Sequence, residues 1–139
     1  MINHQRWSVE SAQAAAVNGT LQEWLIAYLR NEGNNEKLAR VIEEQTNVIT
    51  IQPPRLISLQ RMKIMVGPPN SGRKWTDSKW EVNIKKFVHL IQTGWNPPPI
   101  ILTDYWGTPN AITDGNHRYE ALKRLGYKKY WAIQLKNKR

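Results

Sequence analysis

The 139 residues hold 20 Lys and Arg against 11 Asp and Glu, a formal charge of +9, with 40% hydrophobic residues and no cysteine. This length suits one globular domain with a single core, and the longest apolar run, Trp24–Leu29, is far shorter than the roughly 20 residues that cross a bilayer as a helix. Without cysteine there are no disulfides, thiol nucleophiles or thiolate metal sites, and without an apolar leader after Met1 the expected location is cytoplasmic, with no membrane partner.

The first 52 residues read as a helical N-terminal extension. An alanine-rich helix is expected over Ser8–Val17. Thr20-Leu21-Gln22-Glu23 has the spacing of a capping box, so a helix follows from Leu21 with Trp24, Leu25, Tyr28 and Leu29 on one stripe and Gly33 as a left-handed stop. Asn34-Asn35 caps a second helix that carries Leu38, Val41 and Ile42. This part shows no catalytic pattern and reads as structural, or as a surface for a protein partner or self-association.

Residues 53–139 form the second unit. After Pro53-Pro54, Leu56–Val66 reads as a strand, although its alternation breaks before Met62 and leaves room for a bulge or a later start. The loop from Gly67 ends in Arg73-Lys74. Asp77 or Ser78 caps a helix with Trp80, Ile84, Phe87, Val88 and Ile91 on one stripe and Gly94 as its stop. A strand over Ile100–Tyr105, a turn at Gly107-Thr108-Pro109, a strand over Asn110–Thr113, a helix over His117–Leu125 and a strand over Tyr130–Leu135 follow.

Charge is unevenly spread: residues 1–55 carry five basic and six acidic side chains, residues 56–139 fifteen and five. Such a field attracts phosphates. Chemistry concentrates at Asp114-Gly115-Asn116-His117-Arg118, where a strand turns on Asp-Gly into a helix expected to be capped by Asn116. Unpaired N–H groups at a helix start carry partial positive charge and favour an anion, and glycine allows close approach. Arg118 falls at the edge of the buried stripe and needs either a bound phosphate or an internal carboxylate. His117 is a second donor, or a plain surface residue. The three histidines have no metal-ligand spacing, and Asp114 is a lone hard-oxygen candidate for magnesium.

Over about Leu56–Leu135 the order of parts resembles the ParB/sulfiredoxin superfamily. Gly72-Arg73-Lys74-Trp75 resembles its segment in which an arginine follows Gln-Pro. Pro98-Pro99-Ile100-Ile101-Leu102 resembles its next strand. Asp114–Ala121 resembles its signature turn, written Gly-Glu-Arg-Arg in partition proteins, Gly-Cys-His-Arg in sulfiredoxins and Asp-Gly-His-His-Arg in free-serine kinases. The resemblance implies an α+β fold, a small mixed sheet with packed helices, and a nucleotide site: Gly115, Asn116, His117 and Arg118 around the phosphates of ATP or CTP with Mg2+, closed by Arg73. Asn116 stands where sulfiredoxins carry cysteine, which excludes thiol-based reduction, and where partition proteins carry glutamate, a departure from their CTP switch.

Two functional classes follow. In the first, the chain is a nucleotide-dependent phosphotransferase or triphosphatase, with Asp114 and His117 catalytic and Asp114 on magnesium. In the second, it binds DNA or RNA, or acts as a ParB-like nuclease, through Lys79, Lys85, Lys86, Lys123, Arg124, Lys128 and Lys129.

Overall fold

The structure, a computed structural model, describes residues 6–65, 77–104 and 108–137. Among these, the helices are α1 (Val9–Val17), α2 (Leu21–Arg30), α3 (Glu36–Glu44), α4 (Asp77–Gln92) and α5 (Asn116–Arg124). The strands are β1 (Ile49–Ile51), β2 (Arg55–Ser58), β3 (Ile100–Thr103), β4 (Ala111–Asp114) and β5 (Lys129–Asn137). The fold is α+β with a mixed sheet.

Strand β5 lies inside the sheet, between β3 on one side and β1 and β2 on the other. Strands β1 and β2 run antiparallel to successive halves of β5, with Ile51 opposite Leu135 and Ile57 opposite Tyr130. Pro53-Pro54, which have no N–H to give the ladder, separate the two strands, while the Gln52 N–H still reaches the Gln134 carbonyl at 2.9 Å. On its other side β5 runs parallel to β3, and β4 pairs antiparallel with β3 across a register shift at Ile101 and Leu102.

Alternation along β5 sends successive side chains to opposite faces, and both faces are buried. Ile133 and Leu135 join Ile101, Ile49 and the inner residues of α1–α3, among them Leu25, Leu29 and Ile42. Tyr130 and Ala132 join Ile57, Ile100, Leu102, Ile112 and the α5 residues Tyr119 and Leu122. Helix α4 packs on the outer side of α5 through Trp80 and Ile84 against Ala121. The two helices are clamped by Arg124, whose guanidinium bonds both oxygens of Glu81 and also Glu120. The three N-terminal helices therefore cover one face of the sheet over β1, β3 and the second half of β5, and β1, within the first 52 residues, is one of its strands.

Three local expectations change. The strand expected over Leu56–Val66 is split: after β2, Ser58 caps a 3-10 turn at Leu59–Arg61, and the chain crosses to the far edge of the sheet, where Lys63 bridges Ala111 of β4. Val66 lies outside the described residues. The capping box expected at Thr20 does not form, because the Thr20 hydroxyl turns back to the Ala15 carbonyl at the end of α1; a reciprocal box forms instead between Ser8 and Ser11. Gly33 is not left-handed. Asn34 takes that conformation (φ 49°), and at Gly33 space is tight: a Cβ there would stand 3.1 Å from the Leu29 Cα.

Burial on β5 sets the expected effect of truncation. Ile133→Ala, at a fully buried position, should lower unfolding free energy by about 2–5 kcal/mol. Val82→Ala, at a position 67% exposed, should stay within about 0.5 kcal/mol of the wild type. Urea unfolding of both variants checks the layer assignment.

Candidate functional site

Strand β4 enters α5 through Gly115, whose φ of +108° is open to glycine and costly for other residues. Space reinforces this: a Cβ at Gly115 would lie 2.8 Å from Nη2 of Arg118, which folds back beneath the turn. Gly115, and not Asn116, is the N-cap, and no side chain caps the helix. The first helical bond runs from the Tyr119 N–H to the Gly115 carbonyl at 2.8 Å. The backbone N–H groups of Asn116, His117 and Arg118 come before it and have no helical carbonyl to donate to.

The Asn116 side chain has a different task from the expected cap. Its Oδ1 accepts from the Met65 N–H at 2.9 Å and its Nδ2 donates to the Ile112 carbonyl at 3.3 Å. The amide thus pins the segment after Lys63 to the end of β4, and only its backbone faces the helix start. His117 leans on α4, its ring 4.6 Å from that of Trp80 and 6.1 Å from that of Phe87. Its Nε2 is buried.

Arg118 is the buried cation of the site. Nη1 donates to the Tyr28 hydroxyl at 2.7 Å, and Nη2 donates to the Pro99 carbonyl at 2.9 Å and to Asp114 Oδ2 at 3.3 Å. The Tyr28 hydroxyl in turn donates to the same Asp114 oxygen at 3.1 Å. Of the two partners foreseen for Arg118, the structure shows the internal carboxylate. Burial works against the Arg118 charge, yet Tyr28 and Asp114 outweigh it and hold the guanidinium above its usual range. Burial pushes the Tyr28 phenol well above the ordinary tyrosine range, against the pull of Arg118.

Tyr28 comes from α2, inside the segment expected to lack functional residues. Its ring stacks on Trp24 at 5.4 Å, and Trp7 closes edge-on over both. Trp24 is itself held by its Nε1–H donating to Ser11 Oγ at 3.0 Å. Asn35, the N-cap of α3, adds a bond from Nδ2 to the Thr113 carbonyl at 3.3 Å. The N-terminal helices are thereby keyed to the turn at residues 113–118.

Between α2 and α4 this arrangement leaves a pocket of about 390 Å³, lined by Tyr28, Glu32, Lys86, Phe87, Leu90, Trp95 and Arg118. Sequence reasoning found Arg118 here and missed Tyr28, Glu32 and Trp95. Tyr28 was hidden as an ordinary stripe residue, and Glu32 as a surface charge.

Magnesium does not fit Asp114. The carboxylate is only 10% exposed and already paired with Arg118, and no group of three His, Asp or Glu able to hold a metal occurs among the described residues. Arg73 lies outside the described residues. Of the basic candidates, Lys79, Lys85, Lys86, Lys123, Lys128 and Lys129 are exposed. Arg124 is committed to Glu81 and Glu120 and does not offer a free charge.

Removing Arg118 leaves Asp114 buried without its cation, so Arg118→Ala should cost about 3–5 kcal/mol and is a stability variant before it is a binding variant. Tyr28→Phe should cost about 1–3 kcal/mol. The protonated phenol is favoured in the folded state, so its contribution is full below the ordinary value of 10.0 and falls as pH rises above it. Denaturant unfolding between pH 8 and pH 11 should show this alkaline loss in the wild type and a shallower one in Tyr28→Phe; identical slopes would remove Tyr28 from the network.

No protein-family model matches the chain, and no curated protein matches it. Solved structures similar to it include the following two. One is a Pnob8-like ParB-N domain, 14% identical, over 63% of this chain and 30% of that one, with a TM-score of 0.42. The other is a mutant free serine kinase in complex with AMP, 22% identical, over 58% of this chain and 30% of that one, with a TM-score of 0.45. The matched part spans less than a third of the length of either protein.

Proposed function

We propose that the chain binds a nucleoside triphosphate, ATP or CTP, with its phosphates at the start of α5, and serves as a phosphotransferase or triphosphatase. The observation that carries this reading is the pocket between α2 and α4, lined by Arg118 from the first turn of the uncapped helix α5 and by Lys86. A helix start with no side-chain cap offers its N–H groups and dipole to an anion, and Lys86 supplies a mobile charge at the pocket rim. Arg118 contributes from below: fixed by Asp114, Tyr28 and Pro99, it holds Gly115 and the turn in shape.

Phosphoryl transfer asks chiefly for positioning and charge stabilisation. In this reading Asp114 is a positioning residue, and His117 sets the helix against α4. The base is Glu32, which lines the pocket together with Lys86. It takes the proton of an acceptor hydroxyl, or of water, as the oxygen bonds to the terminal phosphorus and the bond to the departing diphosphate breaks. Phe87, Leu90 and Trp95 give the pocket an apolar wall that suits a small acceptor or a nucleoside ring.

Isothermal titration with ATP, CTP and GTP should give saturable binding for at least one of them. Lys86→Gln should weaken it about tenfold or more, in line with loss of one charge-assisted contact. Glu32→Gln should leave binding within about threefold and lower turnover by about 10²–10⁴, the range for a general base. Absence of saturable binding by all three triphosphates at millimolar concentration would overturn the reading.

A further inference from the structure

We propose that the corner where α5 ends and β5 begins is a second phosphate-binding surface, built for the backbone of a nucleic acid. Residues 123–129 carry Lys123, Arg124, Lys128 and Lys129 and no acidic residue. Strand pairing adds a fifth cation: Ser58 lies opposite Lys129, and the Leu59 N–H donates to the Lys128 carbonyl at 3.0 Å. The 3-10 turn at Leu59–Arg61 therefore stands beside Lys128, with Arg61 exposed at its end.

What marks this corner is the number of exposed cations on adjoining positions that no carboxylate among the described residues neutralises; Lys37, Lys63, Lys85, Lys86 and Lys136 are also exposed and outside the ion pairs of the described residues. Arg30 is paired with Glu36 and Glu43, Arg40 with Glu36, and Arg124 with Glu81 and Glu120. Arg61, Lys123, Lys128 and Lys129 are all exposed, and none is in an ion pair among the described residues. Four such cations on adjoining positions repel one another, and a polyanion relieves that repulsion while releasing its own counterions. Tyr127 lies among them, 43% exposed and packed edge-on against Tyr130, which leaves ring surface for a base to stack on. None of these residues lines the pocket between α2 and α4, so the two sites stand or fall separately.

The test is fluorescence anisotropy of the full chain with a labelled single strand and a duplex of about 20 nucleotides, over a range of salt, beside sedimentation with phosphatidylserine vesicles. Four phosphate contacts at about 0.7 each for a single strand predict a salt slope near −3. The combined variant Arg61→Gln, Lys123→Gln, Lys128→Gln, Lys129→Gln should lose binding tenfold or more, and Tyr127→Ala should weaken the single strand alone. The control variant Lys37→Gln, Arg40→Gln, on the exposed side of α3, should stay within about twofold, and circular dichroism melts establish that each variant is folded. Equal loss in the control, retained binding in the combined variant, binding to vesicles in place of nucleic acid, or no binding at all would overturn the proposal.

Discussion

Among the described residues Arg118 is the one fully buried charged side chain, and the arrangement around the pocket depends on how it is satisfied. A guanidinium that deep is tolerated only with partners on several sides, and those partners come from α2, the loop before β3 and the end of β4. The same bonds therefore do two things. They neutralise the buried charge, and they tie three parts of the chain to the first turn of α5. Gly115 is forced by this geometry, since the guanidinium occupies the space a side chain would need.

The helical N-terminal segment acquires its meaning from that network. Its stripe of apolar residues covers one face of the sheet, but the row Trp7, Trp24 and Tyr28 also aims a hydroxyl at Asp114 and Arg118. Rigid aromatic packing restricts the tyrosine ring to a narrow range of positions, so a phenol on one helix can serve as an orienting group for a turn nearly ninety residues away. Lys86 and Glu32, in contrast, reach the pocket from exposed positions.

Much of this was legible in the sequence where the signal is local. Helix α4 followed from its Trp80, Ile84, Phe87 and Ile91 spacing and its Gly94 stop, and α5 from the Asp-Gly turn. What was not legible depends on partners distant in the chain. The Asn116 amide looks like a cap until Met65, 51 residues earlier, is found to be its donor. Thr20 satisfies the capping pattern, yet a nearby carbonyl at Ala15 competes for its hydroxyl. Leu56–Val66 contains enough alternating apolar residues for a strand, but the break before Met62 marked a real change of sheet edge. Periodicity reports which face is buried, and not which residues meet across it.

The position of β5 bears on how the chain acquires its structure during synthesis. Strands β1 and β2 are made early, but the edge they pair with arrives only with residues 129–137. Ile51 waits for Leu135, and about 84 residues at roughly 5–20 per second is a delay of several seconds. Throughout it the apolar faces of α1–α3 have no sheet to cover, so a nascent chain of this sequence presents a sustained hydrophobic surface to whatever factors surround the ribosome exit.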